Sequence, residues 1–198
     1  VTDPSDIACI LLAAGEGRRF GGGKLLAPLD GKPLGLHTAA TLKEIPFAAH
    51  IAVSGANAPD FAGLGFEIVA PDADEPALSA SIAAGVAAVA DRDIAGVLIA
   101  LADMPCVPAA HIHALIAAFE GEPVATIVEG RPQPPALFGM RQYSDLRALS
   151  GDRGAQSLLR HARALELSAA EAFDVDTPAD LETLRTTSLK AKPSLGDD

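Results

Sequence analysis

Apolar residues along this chain fall into short unbroken runs that alternate with helically spaced sets. Ile7 to Ala13 is such a run, β-branched at its start and closed by a glycine-rich loop, and it reads as a buried strand. Pro33 to Ile45 has helical length and spacing with a proline near its first turn, and strands come next at Ile51 to Val53 and Phe66 to Val69. Leu78, Ile82, Val86 and Val89 recur at helical intervals, with Ser79 or Ser81 as candidate caps. Ile94 to Leu101 is continuously apolar, as a strand covered on both faces is. Beyond it the pattern predicts a helix over Pro108 to Phe119 and strands at Val124 to Val128 and Ala136 to Phe138. Helical stretches are expected at Tyr143 to Leu149 and Gly154 to Ala162. Phe173 to Asp176 reads as extended, and Thr177-Pro178-Ala179-Asp180 suits the start of a helix through Leu184.

This βαβ alternation predicts an α/β fold: a three-layer, mainly parallel, Rossmann-like sheet with helices on both faces. Ligands of such sheets bind beyond the carboxyl ends of the strands, which is where the loop at Gly15 and the carboxylate of Asp103 fall. Residues 1–186 read as a single domain, and 187–198 as a disordered tail.

Composition narrows the chemistry. The chain is 49% hydrophobic with no Trp and one Tyr, so its contacts are mainly aliphatic and it offers no aromatic platform for stacking bases. A net charge of -11 argues against gripping a nucleic-acid backbone, and a polyanionic substrate needs a local basic site. Two cysteines, Cys9 and Cys106, support neither a disulfide framework nor a Cys-based zinc site and fit a reducing cytoplasm. The acidic start VTDPSD is unlike a signal peptide, and no apolar stretch is long enough for a membrane span. His111 and His113 point to different faces of their helix, so they read as surface residues rather than a metal pair.

That local basic site is the loop from Leu11 to Lys24, LLAAGEGRRFGGGK. Its glycines let backbone N–H groups approach phosphate oxygens, and Arg18, Arg19 and Lys24 supply positive charge. It is not a Walker A loop, because Arg18 and Leu25 stand where a glycine and a Ser or Thr are needed. Nor does it fit the dinucleotide fingerprint, whose third glycine is replaced by Phe20.

The run LLAAGEGRRFGGGKLL instead resembles the signature of the MobA/MocA-like nucleotidyltransferases, which attach a nucleotide to the molybdenum cofactor. The resemblance implies a nucleotide-diphospho-sugar transferase type of fold and a nucleotide held at Leu12, Ala13, Ala14, Gly15 and Gly17. It further implies that Arg19 and Lys24 neutralise the triphosphate as pyrophosphate leaves. ALSAS, from Ala77 to Ser81, resembles the family's helix start, where Ser79 and Ser81 help read the nucleotide, although Ala77 replaces a glycine. LADMP resembles the family's acidic motif and makes Asp103 the first Mg2+ ligand, where position alone also allows a turn cap ahead of Pro105.

DVDTPADL resembles the family's C-terminal motif. Thr177, Pro178 and Asp180 are what a helix N-terminus favours, which leaves Asp174 and Asp176 unexplained by capping. They alternate along an extended segment, so at most one of them faces the metal, and Asp176 is the choice. The implied reaction transfers CMP from CTP to the phosphate of molybdopterin in the cytoplasm, for delivery to a molybdoenzyme. Ala13-Ala14-Gly15 and GDRGAQSLL resemble the cytidylyl branch, whereas Gln133-Pro134-Pro135 resembles the guanylyl branch. GTP use, transfer to a sugar or polyol phosphate, and a non-catalytic cofactor chaperone stand as alternatives.

Overall fold

The computed structural model describes residues 2–15, 17–71, 77–151 and 155–191. Its main strands are β1 (Ile7–Ala13), β4 (Ala49–Ser54), β5 (Glu67–Val69), β6 (Gly96–Leu101), β7 (Val124–Val128), β8 (Arg131–Gly139) and β9 (Arg163–Glu166). They form one seven-stranded sheet in the order β5-β4-β1-β6-β8-β7-β9. A separate hairpin joins β2 (Pro28–Leu29) to β3 (Lys32–Pro33). The helices are α1 (Gly35–Lys43), α2 (Leu78–Ala87), α3 (Ala109–Ala118), α4 (Tyr143–Arg147) and α5 (Pro178–Ala191).

Every residue of β1 is buried because successive side chains enter opposite layers. Ile7, Cys9 and Leu11 pack with Ala39 and Leu42 of α1 and Ile112, Leu115 and Ile116 of α3. Ala8, Ile10 and Leu12 pack on the other face with Ile82 and Val86 of α2 and Leu146 of α4. Each fully buried Ile or Leu contributes roughly 1.5–3 kcal/mol, so the two-sided burial of β1 anchors the molecule. This is the three-layer, mainly parallel α/β sheet that the apolar pattern predicts.

Among the strands of this sheet, β8 alone runs against its neighbours, antiparallel to both β6 and β7. The reversal brings its first residues, Arg131 to Pro135, to the carboxyl edge of the parallel strands. A register shift between Ala125 and Thr126 of β7 absorbs Pro134 and Pro135.

Several expectations are corrected. Pro33 belongs to the hairpin and not to the first helix, because Asp30 and Gly31 both adopt positive φ and turn the chain there. Neither Ser79 nor Ser81 caps α2: Ala77 holds the cap position, and both serines are buried inside the helix. The short strand at Ala136 to Phe138 extends over all of β8, since its prolines sit at the bulge and near the strand start. In place of a helix ending at Ala162 there is a 3-10 turn at Gln156–Leu159 and then β9, while Gly154 lies outside the described residues. Helix α5 continues to Ala191, past the expected start of the tail at residue 187, and residues 192–198 lie outside the described residues.

Candidate functional site

Strands β1 and β6 are parallel neighbours with Leu12 opposite Leu101, so the loops that leave the two strands are delivered to one place. After β1 the chain makes two 3-10 turns, Arg18–Phe20 and Lys24–Leu26, each entered from a left-handed glycine, Gly17 and Gly23. Gly21, Gly22 and Gly23 all have positive φ, a path that side chains with a Cβ rarely take. The Gly22 N–H donates to the Gly17 carbonyl at 3.1 Å, which folds the loop back on itself. A Cβ on Gly17 would lie 3.1 Å from that of Lys24, so the missing side chain lets the lysine approach the loop. Ala13, Ala14, Gly15, Gly22, Gly23 and Lys24 line a cavity of about 280 Å³ together with Gly55, Ala56 and Asn57.

Lys24 Nζ donates to Asp103 Oδ2 at 2.6 Å and to Asp176 Oδ1 at 3.3 Å. Arg19 Nη1 reaches the other oxygen of Asp176 at 3.0 Å. Burial alone would lower the pKa of Lys24, but the charge and hydrogen bond of Asp103, joined by Asp176, outweigh it and hold the ammonium above its ordinary range. Lys24 is therefore a fixed cation. The Lys24 and Asp103 side chains are only 10% and 21% exposed, which makes their pairing stronger than the open Arg19–Asp176 contact.

Asp176 reaches this cluster by backbone pairing. The Val175 N–H donates to the Asp103 carbonyl at 3.0 Å, which ties the segment before α5 to the end of β6. Asp180 then accepts from the N–H of Thr177 at 2.7 Å and of Asp176 at 3.1 Å, while Thr177 Oγ1 accepts from the Asp180 N–H at 3.2 Å. This is a reciprocal capping box, as expected for Thr177 and Asp180, and its hydrogen bonds from Thr177 hold the Asp180 carboxyl below its usual range. Asp174 lines a different cavity. Burial, and then the negative charges of Asp103 and Asp176, push its carboxyl above the usual range.

Asp103 Oδ1 is buried without a hydrogen-bond partner, an unsatisfied acceptor on a carboxylate that a cation would satisfy. Among the described residues there is no cluster of three or more His, Cys, Asp or Glu side chains suited to a metal. Two carboxylates are nevertheless what a hard cation such as Mg2+ uses when phosphates and water complete its shell, and Asp103 and Asp176 fit that role.

Of the residues singled out in the sequence, the structure brings together Ala13, Ala14, Gly15, Gly17, Arg19, Lys24, Asp103 and Asp176. Leu12 is buried in the core, and Ser79 and Ser81 are buried in α2; none of the three lines the loop cavity. Sequence reasoning does not pick out Gly55 to Asn57, although a Gly-Ala-Asn turn after a strand that neighbours β1 is a signal of such a lining. Nor does it find a second cavity of about 490 Å³, bounded by Leu101, Met104, Gln133, Pro134, Gln156 and Asp174 among others. His111, expected at the surface, is buried: its Nε2 donates to Thr126 Oγ1 at 2.8 Å, and that hydroxyl donates to the Pro135 carbonyl at 2.6 Å. Burial lowers the pKa of His111, opposed by the charge of Glu171.

Residues 9–168 match the MobA-like NTP transferase domain, a span that includes the loop and Asp103 but stops short of Asp176. The chain is 30% identical to the purine catabolism protein PucB of Bacillus subtilis, over 89% of this chain and 94% of that one. It is 35% identical to the bifunctional protein GlmU of Rhizorhabdus wittichii over 67% of this chain, but spans only 30% of that larger protein. Among solved structures, the homolog of Mycobacterium tuberculosis Rv0371c from Mycobacterium sp. strain JC1 superposes with a TM-score of 0.82 at 27% identity, covering 95% of this chain and 99% of that one. Rv0371c itself, solved in complex with manganese, gives a TM-score of 0.76 at 25% identity, covering 92% and 99%.

Proposed function

This chain belongs to the MobA-like NTP transferase family and is a nucleotidyltransferase, and we propose that it transfers CMP from CTP to the phosphate of molybdopterin with Mg2+ as its metal. The observation that carries this reading is Lys24 Nζ held between Asp103 and Asp176 at the mouth of the glycine cavity. It joins a fixed cation for phosphate oxygens to two carboxylates for a divalent ion.

In the reaction, an oxygen of the acceptor phosphate attacks the α-phosphorus of the triphosphate. The new P–O bond forms as the bond to the β-phosphate breaks, and pyrophosphate leaves with the electron pair. The attacking phosphate is ionised at neutral pH, so no protein base is needed; positioning and charge neutralisation supply the rate. Lys24 keeps one ammonium proton free for a phosphate oxygen after its two carboxylate bonds, and Arg19 adds a second cation on the exposed side. The backbone of Ala13 to Gly15, with Gly22 and Gly23, forms the wall against which the nucleotide lies. Asp103 and Asp176 would hold the metal, which when bound polarises the α-phosphate and neutralises the leaving pyrophosphate. The 490 Å³ cavity beside Asp103 takes the acceptor.

The preference for cytidine rests on the likeness of Ala13-Ala14-Gly15 to the cytidylyl branch. The nucleotide-diphospho-sugar transferase type of fold makes transfer to a sugar or polyol phosphate the second reading. The test is pyrophosphate release from CTP, GTP, UTP and ATP, each with molybdopterin and with phosphorylated sugars, in Mg2+ or Mn2+. Release from CTP with molybdopterin is expected. Release only with a sugar phosphate would replace the acceptor, and release with no acceptor would overturn transfer.

A further inference from the structure

A third cavity, of about 600 Å³, is lined by Arg131, Arg160, Ser150, Gln156 and Ser157 among others. Three observations give it a direction. First, two arginines and no carboxylate line it. In a chain with 26 acidic and 15 basic residues, Arg19, Arg92, Arg141 and Arg185 each bind a carboxylate. Among the described residues, Arg131 and Arg160 form no such ion pair, and neither do Arg147 and Arg163, but only the first two come together in one cavity.

Second, the cavity adjoins the proposed acceptor chamber. Gln156 lines both, and of the chamber's residues Met104 directly follows Asp103 while Asp174 lies two residues before Asp176. Third, Arg131 and Gln133 lie two residues apart in a regular stretch of β8, where Val128 pairs with Arg131 and Thr126 with Gln133. Their side chains therefore share one face of the sheet at its carboxyl edge, with Gln133 in the acceptor chamber and Arg131 in the neighbouring cavity.

We propose that the Arg131–Arg160 cavity is the far end of the acceptor site and binds a second anionic group of the acceptor, remote from the phosphate that joins the nucleotide. This rests on the transfer reading, under which an acceptor phosphate sits beside Asp103. An elongated acceptor then runs along β8 past Gln133 and Gln156, and its other end meets two guanidinium groups suited to phosphate or carboxylate. A compact acceptor carrying a single phosphate leaves the arginines unused and binds more weakly.

The test is calorimetric binding to the full chain, with Mg2+ and a CTP analogue that cannot transfer. The probes are a series of straight-chain diol bisphosphates, from butanediol to decanediol, each set against the monophosphate of equal length. The expected result is a roughly tenfold preference for the bisphosphate at one chain length, equivalent to about 1.4 kcal/mol. Arg131→Gln/Arg160→Gln should abolish that preference and leave monophosphate binding unchanged, while Arg131→Lys/Arg160→Lys should retain much of it. Equal binding of both probes at every length overturns the proposal, as does a preference that survives in the glutamine variant. The nucleotide screen reports separately: its failure would sink transfer without touching the bisphosphate preference.

Discussion

Lys24 serves two purposes that mutation can separate. It neutralises Asp103 in the free protein, and in the proposed reaction it meets the triphosphate. Lys24→Met should lower kcat by on the order of 10²–10³, the usual loss when a placed electrostatic partner is removed. It should also lower the unfolding free energy by about 1–3 kcal/mol, because the mostly buried Asp103 loses its counter-ion. Asp103→Asn in the same background should restore part of that stability and none of the activity. Urea denaturation and pyrophosphate release read the two quantities, and additive stability losses would contradict the pairing. The two acids before α5 separate in the same way. Asp176→Asn should raise the metal concentration needed for half-maximal rate several-fold, while Asp174→Asn, in the acceptor cavity, should change the acceptor KM instead. Equal effects of the two on metal dependence would remove the distinction. Asp103 is legible in the sequence because it lies just beyond an apolar run that has to be a central strand, and Lys24 because it closes the glycine-rich loop that follows another such run. Asp176 can be named there too, but its approach depends on the Val175–Asp103 backbone bond, which no local pattern encodes.

Among the elements, α2 shows how closely the layers are packed. A Cβ on Gly85 would lie 2.5 Å from Ile10 Cγ2 and 3.1 Å from Val53 Cγ2, so the helix rests directly on β1 and β4. Gly85→Ala gains about 1 kcal/mol of helix propensity and incurs about 1–3 kcal/mol of overpacking, because both neighbours are fully buried. The expected outcome is a Tm lower by a few degrees in a thermal melt, with a higher acceptor KM, since α2 begins at Leu78 in the wall of the acceptor cavity. An unchanged or raised Tm would mean that the helix has room to shift. The elements hidden from sequence reading share a cause: their partners lie elsewhere in the chain. β9 has no fully buried residue and exists because it pairs with β7, and β8 carries prolines that only a bulge and an antiparallel neighbour accommodate. The β2–β3 hairpin is different. Asp30-Gly31 is a local turn signal that the sequence displays, and the helical reading of Pro33 passes over it.

For the molecule as a whole, the order of apolar runs is enough to predict three layers, because a strand apolar at every position needs cover on both faces. The same cover buries groups that titrate near neutrality, and it couples stability to pH. His50 packs edge-on against Phe47 and Phe66 and donates from Nε2 to the Leu42 carbonyl at 3.1 Å. Burial first, and then the charge of Lys43, lower its pKa from the ordinary 6.5 against the opposing pull of backbone carbonyls. His111 is lowered in the same direction on α3. A histidine whose folded pKa is depressed binds fewer protons in the native state than in the unfolded chain. Its contribution is therefore complete above 6.5 and is lost as the pH falls towards the lowered folded value. The unfolding free energy should decline between roughly pH 7 and pH 5, with carboxylates adding their own loss at lower pH. His50→Gln/His111→Gln, less stable at pH 7, should show a shallower decline over that interval in urea titrations. Equal slopes for variant and wild type would assign the acid sensitivity to the carboxylates alone. A shallower slope would show that the layers which position the loop and Asp103 also exclude protons from the core.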